Sequence, residues 1–463
     1  MVVFDTEMGD YMKQLSRIVI FTIIFMMLIV PLNTVLATDI NTEDYNPDNI
    51  KTNSPSILLM DAKTGNILYS KNAFEQMYPA STTKLMTAIL TLENCELNDI
   101  VTVSHNAIFS IPVGYSHASL QEGEELTVEQ LLNVLLIPSA NDAAVALAEH
   151  ISGSVEEFAN LMNQRAKELG CLNTHFVNPN GVHNENHYST AYDLALIGRY
   201  AMKFDDIMRI AKVEQYTLPK TNKYDKTDRI FNTTNGLVTK NDEYYYPNAT
   251  GIKTGYTDKS GYCIVTSAEK DGVELLAVVL GSDSISDRYE DCIDLFDYGF
   301  NNYSYQNLIN TNEVIETLEI NGATRETKTL NVIAKNEIDV LVKNSTDISS
   351  LNPTIQINEN LSAPIAKDTV VGTISYEIDG VKYETDLIAE NSVEASNFET
   401  ILFRALLIFL ILCLLVVILK KLNKPRTPKK QNSSYIIKHS RNSKRAKSKK
   451  GGRYKFTQIN DFL

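Results

Sequence analysis

From Ile401 to Leu419 the chain reads ILFRALLIFLILCLLVVIL. As a helix rising ~1.5 Å per residue this run is about 28 Å long, close to the thickness of a bilayer's hydrocarbon core. Backbone crossing hydrocarbon must satisfy its own hydrogen bonds, so only a helix suits the run. Arg404 lies near one end, where its long side chain can snorkel to the interface. Lys420 and Lys421 open a basic segment. The positive-inside rule puts the C-terminus in the cytoplasm and the long preceding part on the other side. A single-pass cell-membrane protein with an extracytoplasmic body is expected.

The charge distribution agrees. The net charge of −14 divides into a tail, residues 420–463, with 15 Lys and Arg against Asp461, and a remainder with 28 basic and 56 acidic residues. An acidic body argues against nucleic acid as a partner. The basic tail reads as a solvated cytoplasmic segment drawn to anionic lipid. A second apolar run, Ile18 to Val30, has 13 residues, too few to span a bilayer but suited to a signal-peptide core. VLA then offers cleavage after Ala37, and residues 1–37 are read as the removed peptide. The segment before the core is acidic from Met1 (Asp5, Glu7, Asp10) and basic if read from Met12. Cys413 lies in the span; Cys95, Cys171, Cys263 and Cys292 lie in the body. Their spacing is unlike a disulfide scaffold, so free and mostly buried thiols are expected.

The body divides by pattern. Residues 38–54 are polar and read as a flexible lead-in. SILLMDAKTGNILYS alternates around Lys63-Thr64-Gly65 as a hairpin. Helical spacing recurs over Pro79–Glu93, Thr127–Ile151, Val155–Leu169 and Tyr192–Met208. ATGIKTG, GYCIVTSAEKDG and VELLAVVLG read as strands, and RYEDCIDLFDYGF as a closing helix. Strands at both ends with helices between predict an α+β unit, 55–303, built on an antiparallel sheet flanked by helices. Beyond it, short alternating runs with turns at Asn321-Gly322 and Asp379-Gly380 predict a small C-terminal β-sandwich, 304–393. The transmembrane helix, 401–419, follows.

Three short motifs carry chemistry. Ser81 stands three residues before Lys84, where a helix opens. Ser139-Ala140-Asn141 interrupts a helical region 58 residues later, and Lys253-Thr254-Gly255 ends a strand 114 residues beyond that. At i and i+3 a helical serine and lysine share a face. A serine hydroxyl needs a base to become a nucleophile. Lysine can be that base only if burial or a neighbouring cation lowers its pKa. Lys253 could supply that cation, and with Thr254 bind a substrate carboxylate. Ser139 and Asn141 would relay protons and hold the polar network. Gly255 would let an extended peptide approach the strand edge closely. Singly, each has an ordinary explanation: Ser81 as an N-cap, Lys84 as a solvated residue, Ser139 and Asn141 as a cap after Pro138, Lys253 as an exposed strand end. Each motif also recurs elsewhere, as Ser267-x-x-Lys270, Ser350-x-Asn352 and Lys63-Thr64-Gly65. Order and context set the first set apart.

With YSKNAFEQMYPASTTKLMTA, LLIPSANDAAVALAEH, NPNGVHNENHYSTAYDLALIGRYAM and TGIKTGYTDKSGYCIVTSA, the chain resembles the penicillin-recognising serine DD-peptidases, more narrowly the low-molecular-mass D-alanyl-D-alanine carboxypeptidases. The resemblance runs from about Ser56 to Phe300, and more loosely over the β-rich part. It implies Ser81 as the acylated nucleophile, Lys84 as general base, and Ser139, Asn141 and Lys253 as the proton and charge network. Thr254 and Gly255 would contact the terminal D-alanine or a β-lactam. The N–H groups of Ser81 and Tyr256 would form an oxyanion hole, and Arg288 a further carboxylate contact. The partners implied are peptidoglycan stem peptides ending in D-Ala-D-Ala, and β-lactams. Tyr256 stands where several relatives carry histidine. Many relatives also lie on the membrane through an amphipathic helix, where this chain carries a spanning one.

No histidine pair shows metal-ligand spacing and no cofactor is implied. His187 reads as holding a loop. Two rivals stand beside the peptidase. A class A-like β-lactamase needs an acidic residue beyond the second motif, and Cys171–Asn184 holds none. A non-catalytic wall-binding sensor would suit the span and tail, but not the intact Ser81, Lys84 and Lys253.

Overall fold

The computed structural model describes residues 43–378, 380–396 and 398–422. The signal-peptide reading, most of the basic tail and Asp379 of one turn lie outside the described residues. In chain order the first unit comprises β1 (Ser56–Asp61), β2 (Ile67–Lys71), α1 (Lys84–Asn94), β3 (Ile100–Thr102), α2 (His105–Phe109), β4 (Glu125–Thr127), α3 (Val128–Leu136), α4 (Asn141–Ser152), α5 (Val155–Glu168), α6 (Ala191–Ala201), α7 (Asp205–Ala211), β5 (Gln215–Leu218), β6 (Arg229–Asn232), β7 (Ala249–Thr257), β8 (Gly261–Lys270), β9 (Val273–Ser282) and α8 (Ile285–Asn302). β10 (Tyr303–Ile309), β11 (Val314–Glu319), β12 (Thr329–Ala334), β13 (Ile338–Lys343), β14 (Thr354–Ile357), β15 (Val370–Ile378), β16 (Val381–Ala389) and α9 (Phe398–Leu422) follow.

The main sheet has the order β2-β1-β9-β8-β7, with antiparallel neighbours throughout. Its central strands are apolar on both sides because both faces are covered. Successive residues alternate between faces, so Leu58, Met60, Leu276 and Val278 enter one core with α1, α3 and α4. Ile57, Leu59, Leu275, Ala277 and Val279 enter a second core with Leu295 and Phe296 of α8. This is the α+β arrangement read from the sequence. β7 forms one edge of the sheet.

The helices start where short polar side chains satisfy their first N–H groups. Thr127 and Gln130 form a capping box on α3, and Ser154, Thr190 and Ser284 cap α5, α6 and α8. Four details differ from the sequence reading. The stretch 192–208 breaks after Ala201, because Phe204 turns extended onto Tyr200 and Asp205 and Asp206 open a new helix. The stretch from Pro79 begins as a 3-10 turn, Ala80–Thr83, before α1. Lys253 lies inside β7 rather than at its end, because pairing with β8 continues to Thr257↔Gly261. Residues 43–54, expected as a flexible lead-in, are fastened at their end: the Asn53 and Ser54 N–H groups each donate to Asp291 at 2.8 Å.

The β-rich part joins a five-stranded sheet, β11-β12-β16-β15-β14, to the ribbon β10-β13 around one core that includes Leu330, Val340, Ile374 and Leu387. It rests on the first unit through Tyr305, whose hydroxyl donates to Asp61 at 2.6 Å, and through Lys343 paired with Asp48 at 2.8 Å. In α9, Ile401–Leu422 has a mean hydropathy of 3.2 and no buried residue.

Candidate active site

The turn at residues 79–83 sets the site. Ala80 has φ 49°, a left-handed conformation that non-glycine residues rarely adopt. Neither the 3-10 turn nor α1 has a side-chain cap, so Ser81 does not serve as one. Instead Ser81 Oγ lies 2.8 Å from Lys84 Nζ. Lys84 is fully buried, and its Nζ also donates to Asn141 Oδ1 at 2.9 Å and to the Asn180 carbonyl at 2.7 Å. Burial, then the nearby Lys253 ammonium, hold its pKa well below the ordinary lysine value, against a smaller pull from Asp142. Burial penalises the charged form of an amine, so the shift is toward the free amine.

The second motif is the reversal between α3 and α4. Ser139 is in the left-handed region, φ 64°. Its Oγ is buried and has no hydrogen-bond partner among the described residues. Asn141 opens α4; its backbone N–H and its Nδ2 both donate to Ser116 O, at 3.0 and 2.7 Å, which leaves Oδ1 to Lys84. The next residue, Asp142, accepts from the Ala118 and Leu120 N–H groups at 2.9–3.1 Å. Burial raises its carboxyl pKa. The start of α4 thereby fixes the 113–120 loop as one wall of a cleft.

β7 forms the other wall. Lys253 pairs with Val265, which packs into the helix-side core. Cross-strand partners share a face, so Lys253 points toward the layer that carries Lys84. It is 1% exposed, and its Nζ donates to Thr254 O at 3.0 Å. Burial, then Arg288, depress its pKa to about 7. Thr254 Oγ1 lies 2.5 Å from Thr234 Oγ1. A Cβ at Gly255 would sit 2.9 Å from Ser81 N and 3.1 Å from Pro79 O. The sequence reading reserved that space for substrate; the structure fills it with the turn that carries Ser81. Tyr256 is half exposed, stacks on Tyr262 at 4.4 Å and donates its hydroxyl to Asp258 at 3.0 Å. Arg288 is 5% exposed, lies over the Tyr289 ring at 4.2 Å and makes no ion pair among the described residues.

These walls enclose a cleft of about 420 Å³ lined by Ser81, Ser139, Asn141, Thr254, Gly255, Tyr256 and Arg288, among others. Lys84 and Lys253 lie beneath it. The structure therefore brings all nine residues singled out from the sequence to one place. The repeated motifs lie elsewhere: Ser267 Oγ pairs with Thr250 inside the sheet, and Lys63-Thr64-Gly65 turns the β1–β2 hairpin. Sequence reasoning missed the Asn180 carbonyl, since a backbone acceptor leaves no residue signature, and missed Thr234 and Ser116. His187 Nδ1 accepts from Val177 N, so its Nε2–H donates to Thr83 at 2.8 Å, and burial lowers its pKa to about 3. Neutral, it links the loop before α6 to the turn before α1. Among the described residues no three His, Cys, Asp or Glu side chains gather as metal ligands. Cys171, Cys263 and Cys292 are buried and unpaired.

Comparison with known proteins shows what the chain is similar to. Residues 41–284 match the family model described as D-alanyl-D-alanine carboxypeptidase, and residues 303–395 match that of the penicillin-binding protein 5 C-terminal domain. The chain is 35% identical over 358 residues to D-alanyl-D-alanine carboxypeptidase DacF of Bacillus subtilis, covering 76% of this chain and 88% of that one. It is 29% identical over 373 residues to DacA of Escherichia coli K12, covering 78% and 89%. The crystal structure of penicillin-binding protein 5 from Haemophilus influenzae superposes with a TM-score of 0.63 at 28% identity, covering 76% of this chain and 99% of that one.

Proposed function

The chain belongs to the D-alanyl-D-alanine carboxypeptidase family of serine peptidases, and from that membership we propose a role for each residue of the cleft. The neutral Lys84 amine directs two N–H groups at Asn141 Oδ1 and Asn180 O, neither of which can donate. Its lone pair is left to face Ser81. The 2.8 Å contact then runs from the Ser81 hydroxyl to that lone pair. Ser81 Oγ bonds to the carbonyl carbon of the penultimate D-alanine while its proton moves to Lys84. The carbonyl oxygen gains charge between the Ser81 and Tyr256 N–H groups, a stabilisation worth about 3–4 kcal/mol in related chemistry. The close approach of Gly255 to Ser81 N supports that pairing of donors. The peptide C–N bond breaks, the proton passes by way of Ser139 to the leaving nitrogen, and D-alanine departs. Water then hydrolyses the Ser81 ester. Thr254, Arg288 and the Lys253 ammonium hold the terminal carboxylate; Arg288, buried without an anionic partner among the described residues, is suited to this.

A β-lactam would acylate the same serine. Its ester would persist, because Cys171–Asn184 offers no carboxylate to activate water. The carrying observation is the buried Lys84 amine converging on Ser81 Oγ. The test is release of D-alanine from a pentapeptide ending in D-Ala-D-Ala: the chain releases it and Ser81→Ala does not, whereas release undiminished in Ser81→Ala rejects the assignment.

The catalytic unit comprises residues 55–303, and the β-rich unit, 304–393, acts as a spacer between it and the membrane. α9 crosses the bilayer with the catalytic unit outside and the tail in the cytoplasm. Its apolar stretch, Ile401–Leu422, is about 33 Å long at ~1.5 Å per residue, enough to span.

A further inference from the structure

Arg288 and Thr254 reach the cleft from different elements, α8 and β7. One side chain outside the cleft touches the supports of both. Tyr289 is 3% exposed and packs in the second core with Cys292, Leu295 and Phe296. Its ring carries the Arg288 guanidinium at 4.2 Å. Consecutive residues leave a helix ~100° apart and do not face each other, so Arg288 has turned back across its neighbour's ring. The Tyr262 ring, 5.5 Å from the guanidinium, adds a second aromatic contact. Arg288 Nε is buried without a hydrogen-bond partner among the described residues, so ring faces rather than an acceptor at that atom steer the group. The Tyr289 hydroxyl serves the other arm. It accepts from Gly236 N at 2.8 Å and donates to Thr234 O at 3.1 Å. Thr234 lines the cleft, and its Oγ1 lies 2.5 Å from Thr254 Oγ1. Tyr244 packs on the Tyr289 ring at 5.0 Å and holds it in turn.

We propose, resting on the peptidase reading, that Tyr289 is a positioning residue for the terminal carboxylate: its ring directs Arg288, and its hydroxyl places Thr254 by way of Thr234. Tyr289 touches no substrate and acts only through those two groups. A guanidinium free to swing, or a displaced threonine hydroxyl, leaves the Ser81–Lys84 pair intact. The loss therefore falls on substrate binding rather than on the chemical step. A tyrosine that merely filled the core would behave differently, since its replacement would act alike whether or not Arg288 and Thr234 were present.

The test is a pair of double-mutant cycles on the full chain in detergent micelles, read as kcat and KM for D-alanine release from a pentapeptide ending in D-Ala-D-Ala. Tyr289→Leu removes ring and hydroxyl; Tyr289→Phe keeps the ring. Tyr289→Leu raises KM about 3- to 30-fold with kcat nearly unchanged, the range of a desolvated cation–π contact, and raises it much less when Arg288→Gln is already present. Tyr289→Phe raises KM about 3-fold, as for one lost hydrogen bond. That rise persists beside Arg288→Gln and vanishes beside Thr234→Val. Additive effects in either cycle, or a loss confined to kcat, overturn the proposal and leave the peptidase standing. If Tyr289→Leu does not fold, the cycle of Tyr289→Phe with Thr234→Val decides: coupling upholds the proposal and additivity overturns it. No D-alanine from the unmodified chain overturns the peptidase reading, and the role of Tyr289 with it.

Discussion

Lys84 and Lys253 are two buried amines, and their separate protonation states are what the chemistry needs. Lys84→Arg should lower kcat for D-alanine release by about 10²–10⁴, because guanidinium cannot give up its proton to become a base. A kinetic assay with retained thermal unfolding checks this. The pH profile follows from the two shifts. In the proposed mechanism Lys84 acts as the free amine, so kcat/KM should rise with pH through its lowered pKa. In the same proposal Lys253 acts as the ammonium, present below about pH 7 and lost above it, so kcat/KM should fall as pH rises through that value. Arg288 is one of the causes lowering Lys253, so Arg288→Gln should raise the Lys253 pKa and move the alkaline limb to higher pH, while KM for the peptide increases. An alkaline limb that stays in place would separate Lys253 from the rate. Ser81 and Lys84 were legible in the sequence because helical spacing alone puts them on one face. Asn180 was not, since it contributes a carbonyl any residue carries, and Thr234 was not, since only the closure of β7 against the segment after β6 brings it to Thr254.

Among elements, the site depends on three segments touching: the turn before α1, the loop around Asn180, and β7. Two glycines permit it. At Gly255 a methyl group would press on Ser81 N and Ala80 Cβ; at Gly181, φ 79°, it would overlap Ala80 O at 1.8 Å. Gly255→Ala should weaken acylation more than stability, since the part displaced is the turn that carries Ser81, the proposed nucleophile. Gly181→Ala should destabilise by about 1–3 kcal/mol, by overpacking and by left-handed strain together. Acylation rates with a fluorescent penicillin, set beside denaturant midpoints, distinguish the two. The segment 171–184 gives a further expectation: nitrocefin is hydrolysed slowly, with stoichiometric loss of free enzyme, and rapid turnover would show that another group activates the deacylating water. The central strands β1 and β9 were readable because both faces are buried and their runs, ILLM and LLAVVL, are continuously apolar. The break between α6 and α7 was not, because it is set by where Phe204 finds its packing rather than by local propensity.

At the scale of the molecule, an antiparallel sheet between helical layers carries the cleft at its β7 edge. The β-rich part meets the first unit at the β1–β2 hairpin, away from that edge: Tyr305 reaches Asp61 and Tyr383 reaches Asn66. Truncation before Phe398 should therefore release the protein from membranes while kcat/KM on a soluble peptide stays the same; fractionation and kinetics together check this. The overall α+β plan, the β-rich part and the apolar helix were all visible as changes of hydrophobic period along the chain. How the two folded parts rest on each other was not, because it depends on single contacts between residues far apart in the chain, such as Tyr305 with Asp61 and Lys343 with Asp48. The most direct measurement is to label the full chain with a fluorescent penicillin and map the adduct by mass spectrometry. An ester on Ser81, absent in Ser81→Ala and formed far more slowly in Lys84→Arg, is the predicted result. An adduct on another residue, or labelling at full rate without Lys84, would contradict the account.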